Sequence, residues 1–264
     1  MRRSVVVVLG LLVALAGLPV AHALPDPVPC EGCWQPALVT SWQWQLQGKV
    51  DTSLGVEMYD IDGFDATRRL VRRIHRSGAA AVCYLSAGSW EDWRPDADRF
   101  PAAVLGRSNG WPGERWLDIR RRRVLAPIMR DRMDMCAAKG FDAIEFDNVD
   151  GYANRTGFDL TARDQLRYNA WLANEAHARG LSVALKNDLG QVRRLLPYFD
   201  FALNEQCFQY DECGRLRPFV EAGKAVFGVE YRLRPREFCP RANAMNFNFL
   251  KKRPSLRRWR IACR

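Results

Sequence analysis

From residue 37 onward, apolar positions follow two alternating patterns. Short runs rich in Val, Ile, Leu, Phe and Trp recur along the chain, and longer stretches with helical spacing lie between them. The short runs predict strands over 37–46, 56–62, 80–86, 181–188, 201–207, 225–231 and 245–251, and a fourth strand, in chain order, that runs into a loop within 143–152. The intervening stretches predict helices over 66–76 with Asp65 as cap, 121–139, 161–179, 191–196, 216–222 and, in part, 235–244, with a closing helix over 256–262. Gly78, Gly140, Gly180 and Gly223 stand where four of these helices stop. A long loop carrying Trp90, Trp93, Pro101 and Trp111 follows the third strand, with a short extra element at 116–119. Strand and helix alternate through eight rounds, which predicts a parallel sheet covered by helices. At about 240 residues after a leader, the α/β arrangement that fits best is a single-domain (β/α)8 TIM barrel over 37–264, behind an N-terminal segment at 24–36.

The first residues read as an address. Arg2 and Arg3 precede an apolar run from Ser4 to Leu18, and Ala21-His22-Ala23 is a small-x-small cleavage site. The run is short for a spanning helix, which needs roughly 20 apolar residues. It predicts a signal peptide over 1–23 and an exported product, secreted or periplasmic, monomeric and free of the membrane after cleavage. The eight cysteines agree with an oxidising compartment. Cys207 and Cys213 could close a small loop, and Cys239 and Cys263 could tie down the tail. Cys83 in a strand and Cys136 in a helix read as buried thiols. Cys30 and Cys33 form a lone CxxC with no second pair and no histidine cluster, so no metal or cofactor is expected.

The formal net charge of +10 invites a nucleic-acid reading. The arginines, however, fall in helical runs such as Arg68-Arg69, Arg72-Arg73 and 120–123, which read as solvated outer faces. The acidic residues fall elsewhere, at strand ends. In a barrel the reacting groups sit at the C-terminal ends of the strands. Those ends read Asp60 and Asp62; Tyr84 and Ser86; Asp147 and Asp150; Lys186, Asn187 and Asp188; Glu205; Glu230 and Tyr231. A basic protein with an acidic cleft is matched to a neutral or cationic ligand, and nucleic acid is not an expected partner. The absence of GxGxxG after the first strand and of a Walker A sequence argues against dinucleotide and nucleotide chemistry. A Ser-His-Asp triad has no support, since His75 and His177 fall in outer helices and no GxSxG occurs.

Alternation along each strand assigns the faces. Ile144 and Phe146 share one face and Glu145 and Asp147 the other. Ser182, Ala184, Lys186 and Asp188 share the inner face of their strand. Val226, Gly228 and Glu230 are expected to face inward opposite Phe227 and Val229, and Glu205 lies with Phe201 and Leu203. Two carboxylates across a cleft with aromatic walls are the equipment of glycoside hydrolysis. One must stay ionised and the other must deliver a proton, so their surroundings must differ. Asp147, beside Asn148 or Lys186, is the expected nucleophile. Glu205, near Cys207 and Phe208, is the expected acid/base through desolvation, and the reverse assignment is open. Trp42, Trp44, Trp90 and Trp93 could stack on sugar faces.

The series Trp42-x-Trp44, Tyr59-Asp60-Ile61-Asp62, Cys83-Tyr84-Leu85-Ser86-x-Gly88, Phe146-Asp147-Asn148-Val149-Asp150-Gly151-Tyr152, Lys186-Asn187-Asp188, Asn204-Glu205-Gln206-Cys207 and Val229-Glu230-Tyr231 resembles the exported endo-α-1,4-polygalactosaminidase family of glycoside hydrolases. The resemblance covers nearly all of the chain after the leader. It implies a (β/α)8 barrel without cofactor that cleaves α-1,4-linked galactosamine-containing polysaccharide internally. Carried over by motif, the catalytic pair is Asp147 and Glu205. Asp60, Tyr84, Lys186, Asn187, Asp188 and Glu230 are carried over to cleft-lining positions, and Asp150 and Tyr231, at the same strand ends, are expected to bind substrate with them. A partly deacetylated galactosamine polymer is cationic and suits an acidic cleft. The competing expectation is a barrel that binds such a glycan without cutting it.

Overall fold

The computed structural model describes residues 24–264, so the expected signal peptide over 1–23 lies outside the described residues. Eight parallel strands form the central sheet: β1 (Trp42–Gln45), β2 (Met58–Asp62), β3 (Ala80–Ser86), β7 (Ala143–Asp147), β8 (Ser182–Lys186), β9 (Phe201–Glu205), β10 (Val226–Glu230) and β11 (Phe247–Lys251). They are hydrogen-bonded in that order. All eight predicted strands are present, and the architecture is a (β/α)8 barrel. Trp42, Trp44, Met58, Val82, Ala184, Phe201, Leu203, Phe227, Val229 and Leu250 fill its interior. A second, larger apolar layer lies between the strands and the helices, with Ile144 and Phe146 of β7 and Val183 and Leu185 of β8 packed in it.

The helical ring is less regular than the eightfold alternation predicted. Among the described residues the helices are α1 (Arg68–Arg76), α2 (Arg122–Lys139), α3 (Ala162–His177), α4 (Val192–Leu195), α5 (Arg217–Glu221) and α6 (Pro235–Ala244). The chain passes from β1 to β2 without a helix. Thr67, not Asp65, caps α1, its side chain accepting from Leu70 N at 3.2 Å. Gly140 ends α2 in the left-handed conformation at φ +88°, as a C-terminal glycine stop requires.

The expected closing helix over 256–262 is absent. That stretch is irregular, with a left-handed Leu256 at φ 43°, and ends in β12 (Ile261–Ala262), antiparallel to β11. The seam between β11 and β1 explains the difference. Leu46 N donates to Leu256 O at 3.0 Å, the Gln43 side-chain amide donates to Arg258 O at 2.8 Å, and the Trp42 indole donates to Asn248 O at 2.9 Å. A helix would satisfy its own backbone and leave the edge groups of β1 and β11 without partners. An irregular tail laid along the seam satisfies them, as edge strands need.

The connection from β3 to α2 holds a small antiparallel sheet, β4 (Ser89–Glu91), β5 (Leu105–Ser108) and β6 (Glu114–Leu117), ordered β4-β6-β5. At the opposite end of the barrel, residues 24–36 pack beneath the strands. Trp34 meets Phe201 edge-on at 6.0 Å, and Gln35 donates to Asp200 at 2.9 Å. Four disulfides join Cys30–Cys33, Cys83–Cys136, Cys207–Cys213 and Cys239–Cys263. Cys83 and Cys136 are therefore not thiols. Cys83 alternates to the outer face of β3, where it meets α2, and the bond ties the sheet to its covering helix across 53 residues of sequence.

Candidate active site

Lys186 ends β8 with its side chain pointing into the barrel mouth and only 1% exposed. Its Nζ lies 2.8 Å from Glu145 Oε1, 3.0 Å from Asp147 Oδ1 and 3.5 Å from Glu205 Oε2. The Trp44 ring lies beneath it, 4.6 Å from nitrogen to centroid. Burial disfavours the ammonium, but Asp147, Glu145 and Glu205 outweigh that cost and hold its pKa well above the ordinary lysine range.

Asp147 ends β7, where the register sets Ser86 beside it and Tyr84 beside Glu145. Its carboxylate accepts from Lys186 Nζ, from the Tyr84 hydroxyl at 2.8 Å and from Asn148 N at 2.8 Å. Burial pushes its pKa up, but the Lys186 charge and these donors together hold it below the usual carboxylate value. Asp147 is thus kept ionised. Burial, reinforced by the neighbouring Asp147 charge, raises the Tyr84 pKa well above the phenol range and keeps its hydroxyl a donor.

Glu205 ends β9 on the inner face with Phe201 and Leu203. Its carboxylate receives the Tyr231 hydroxyl on one oxygen and the Asn187 amide at 3.3 Å on the other. Asn187 Oδ1 in turn accepts from Glu205 N at 2.9 Å, so the asparagine grips both ends of the residue. The residues that follow Asp147, Lys186 and Glu205 all have left-handed backbones, with φ of 61° at Asn148, 50° at Asn187 and 63° at Gln206. Non-glycine residues in this region store strain, and such strain clusters where side chains must be aimed. Here it turns three successive strands outward directly after these three side chains.

Beneath this layer lie Asp60 and Glu145, both fully buried. Asp60 Oδ1 and Oδ2 and Glu145 Oε2 find no donor other than each other's carboxyl. Burial, and then the adjacent Glu145 charge, pushes the Asp60 pKa well above its ordinary value. Burial also raises Glu145, against the pull of Lys186. The pair is satisfied by one proton carried on Asp60 and donated to Glu145. That leaves Glu145 free to face Lys186 as a carboxylate.

The cavity above these residues has a volume of about 680 Å³. Trp44, Tyr84, Asp147, Asp150, Asn187, Glu205 and Tyr231 line it from the barrel, and Glu91, Trp93, Trp111 and Glu114 line it from the β3–α2 connection. The family profile of glycoside-hydrolase family GH114 matches residues 28–264. The chain belongs to glycoside-hydrolase family GH114.

Among solved structures, Ega3 of Aspergillus fumigatus, in complex with galactosamine, is 38% identical at a TM-score of 0.85, covering 90% of this chain and 100% of that one. The glycoside hydrolase domain of PelA from Pseudomonas aeruginosa shares the fold at 15% identity and a TM-score of 0.70, over 84% of this chain and 98% of that one. No curated protein matches. This GH114 chain is therefore a glycosidase, and the family resemblance carried by its strand-end motifs holds.

Within this GH114 barrel the structure brings Asp147, Glu205, Tyr84, Asp150, Lys186, Asn187 and Tyr231 together around one cavity. It does not bring the other three expected binding residues there. Asp60 lies under Lys186 without reaching the cavity surface. Asp188 follows Asn187 at φ 44°, which breaks the strand alternation. Its carboxylate turns behind the wall to accept from Asn169 Nδ2 at 3.0 Å. Burial and the nearby Asp150 charge push Asp188 up to about 8. Asp150 itself is pushed up to about 6, mainly by burial and then by Asp147.

Glu230 corrects the face assignment on β10. Phe227 and Val229 fill the barrel interior, so Val226, Gly228 and Glu230 face the helices. Glu230 Oε1 accepts from Phe208 N at 2.8 Å and Gln209 N at 3.2 Å, holding the loop after β9. The aromatic expectations divide similarly. Trp42 is core, and Trp90 is half-buried and donates to Ala97 O at 3.0 Å. Trp93 alone of the four is both exposed and in the cavity. The expected apolar surroundings of Glu205 are also absent, because Cys207 and Phe208 lie in the outer layer and polar donors meet its carboxylate. Glu91, Trp111 and Glu114 were not singled out as site residues in the sequence. They sit in a Trp-rich connection whose small sheet has no strong periodicity to place it.

Proposed function

We propose that this GH114 protein is an exported, monomeric endo-glycosidase that cleaves α-1,4-linked galactosamine-containing polysaccharide with retention, using Asp147 and Glu205. The supporting observation is the single ammonium between the two carboxylates. The contacts of Lys186 Nζ to Asp147 and Glu205 cap the separation of those two oxygens at about 6.5 Å, the lower edge of the inverting range and compatible with the roughly 5 Å of retaining enzymes. Asp147, ionised and surrounded by donors, is the nucleophile. It attacks the anomeric carbon, the glycosidic C–O bond breaks, and Glu205 gives its proton to the leaving oxygen. Glu205 then takes a proton from the water that releases the glycosyl group from Asp147.

The galactosamine-bound relative supports an amino-sugar substrate, and the acidic lining suits its ammonium groups. The cavity has room for more than one sugar ring, as internal cleavage requires. The leader pattern at 1–23 and the four disulfides support export. Mass spectrometry of products tests the reading. Purified protein incubated with partly deacetylated α-1,4-galactosamine polymer should release short galactosamine oligomers, while Asp147→Asn and Glu205→Gln should release none. An intact polymer after incubation with wild type would overturn the assignment of substrate.

A further inference from the structure

Two of the most exposed tryptophans in the described chain face the same cavity. Trp93 is 53% exposed and Trp111 57%, and no other exposed large apolar side chain lines that cavity. Leaving such area in water is unfavourable unless a ligand covers it. Neither residue is loosely mounted. Asp92 N donates to Gly113 O at 3.0 Å beside the β4–β6 ladder. A Cβ on Gly113, which has φ +81°, would lie 2.8 Å from Trp93 Cζ3, so the indole rests against backbone that only glycine leaves open. Trp111 N donates to Asn109 Oδ1 at 3.0 Å, and Trp111 O accepts from Glu114 N at 3.2 Å.

A carboxylate accompanies the rings. Glu114 lines the cavity and accepts from Ser89 Oγ at 2.9 Å and Asn109 Nδ2 at 2.6 Å. Ser89 Oγ also accepts from Asn148 Nδ2 at 3.1 Å, and Asn148 N donates to Asp147 at 2.8 Å. The rings and Glu114 are therefore anchored to the nucleophile through Ser89 and Asn148. The guanidinium of Arg94, 5.8 Å from the Trp93 ring, is committed to Asp62 and Glu91 at 2.7 Å each, and its charge reaches Glu114 only through space.

We propose that Trp93, Trp111 and Glu114 form a subsite for a 2-amino-2-deoxyhexose ring beyond the one attacked at Asp147. The rings stack on the apolar sugar face and Glu114 reads the free ammonium at C2. Aromatic stacking and an ammonium beside a ring each contribute attraction beyond buried area. The inference rests on the amino-sugar reading above and adds to it a selection for chain length and deacetylation made by the β3–α2 connection.

Binding can be measured apart from cleavage. In an Asp147→Asn background, calorimetry with a galactosamine disaccharide and hexasaccharide should show tighter binding of the longer ligand. Trp93→Ala and Trp111→Ala should each weaken hexasaccharide binding by about tenfold, the equivalent of about 1.4 kcal/mol, and change disaccharide binding little. Glu114→Gln should erase the preference for the free amine over its N-acetylated form. Trp259→Ala, which removes an exposed tryptophan outside this cavity, is the control and should bind as its parent. Equal loss for both lengths, unaltered hexasaccharide affinity in both tryptophan variants, or no oligomer binding at all would overturn the subsite. Polymer left uncut by wild type, with length-dependent binding intact, would instead overturn the hydrolytic reading and leave the subsite standing.

Discussion

Glu145 and Asp147 stand two residues apart on the inner face of β7, and both accept from Lys186 Nζ, at 2.8 and 3.0 Å. The lower carboxylate anchors the ammonium and the upper one uses it. Replacing Lys186 with Met should therefore act on stability and chemistry together. It leaves Glu145 buried without a counter-charge, at a cost of about 3–5 kcal/mol, and deprives Asp147 of the cation that keeps it ionised. Chemical denaturation should show the first loss, and turnover on galactosamine polymer the second. A variant of wild-type stability would refute the anchoring role.

The proton shared by Asp60 and Glu145 predicts an asymmetry between two substitutions. Asp60→Asn keeps a neutral donor toward Glu145 and should leave stability near that of wild type at neutral pH. Asp60→Leu removes the donor and strands Glu145 Oε2, at about 1–3 kcal/mol. Equal destabilisation by both, measured by urea unfolding, would mean that Asp60 is not the proton carrier.

Asp188 gives the fold a pH dependence of defined sign. Its folded-state pKa, about 8, lies above the ordinary 3.8 because of burial and the Asp150 charge. A raised pKa contributes stability that is fully present below the unfolded value and is lost as pH rises through the folded one. Stability should fall as pH rises from about 4 to about 8, and Asp188→Asn should flatten that slope. Melting temperatures across this range decide it, and a slope unchanged in the variant would assign the effect elsewhere.

Glu230 and Tyr231 are neighbours with opposite expected roles. Glu230→Gln weakens the acceptor for two loop N–H groups and should cost about 1–2 kcal/mol with KM little changed. Tyr231→Phe removes the hydroxyl donated to Glu205 and should lower kcat by tenfold or more with stability retained. If Glu230→Gln raises KM selectively, the outward placement of its side chain is wrong.

What the sequence by itself determined follows from local periodicity and strand-end chemistry. Short apolar runs and glycine-stopped helices are encoded within ten or twenty residues, so the eight strands were all legible. The inward aim of Asp147, Lys186 and Glu205 was legible as well, because strand alternation holds up to the last residue of each strand. The tertiary structure decided what alternation cannot. A left-handed Asn187 turned Asp188 out of the cleft, and large side chains at Phe227 and Val229 claimed the barrel interior and sent Glu230 outward. The open edges of β1 and β11 drew the C-terminal residues into an irregular seam in place of a helix. The wall formed by Trp93, Trp111 and Glu114 depends on ladders between short strands far apart in the connection. Such pairings are non-local, and their partners are fixed only when the chain closes on itself.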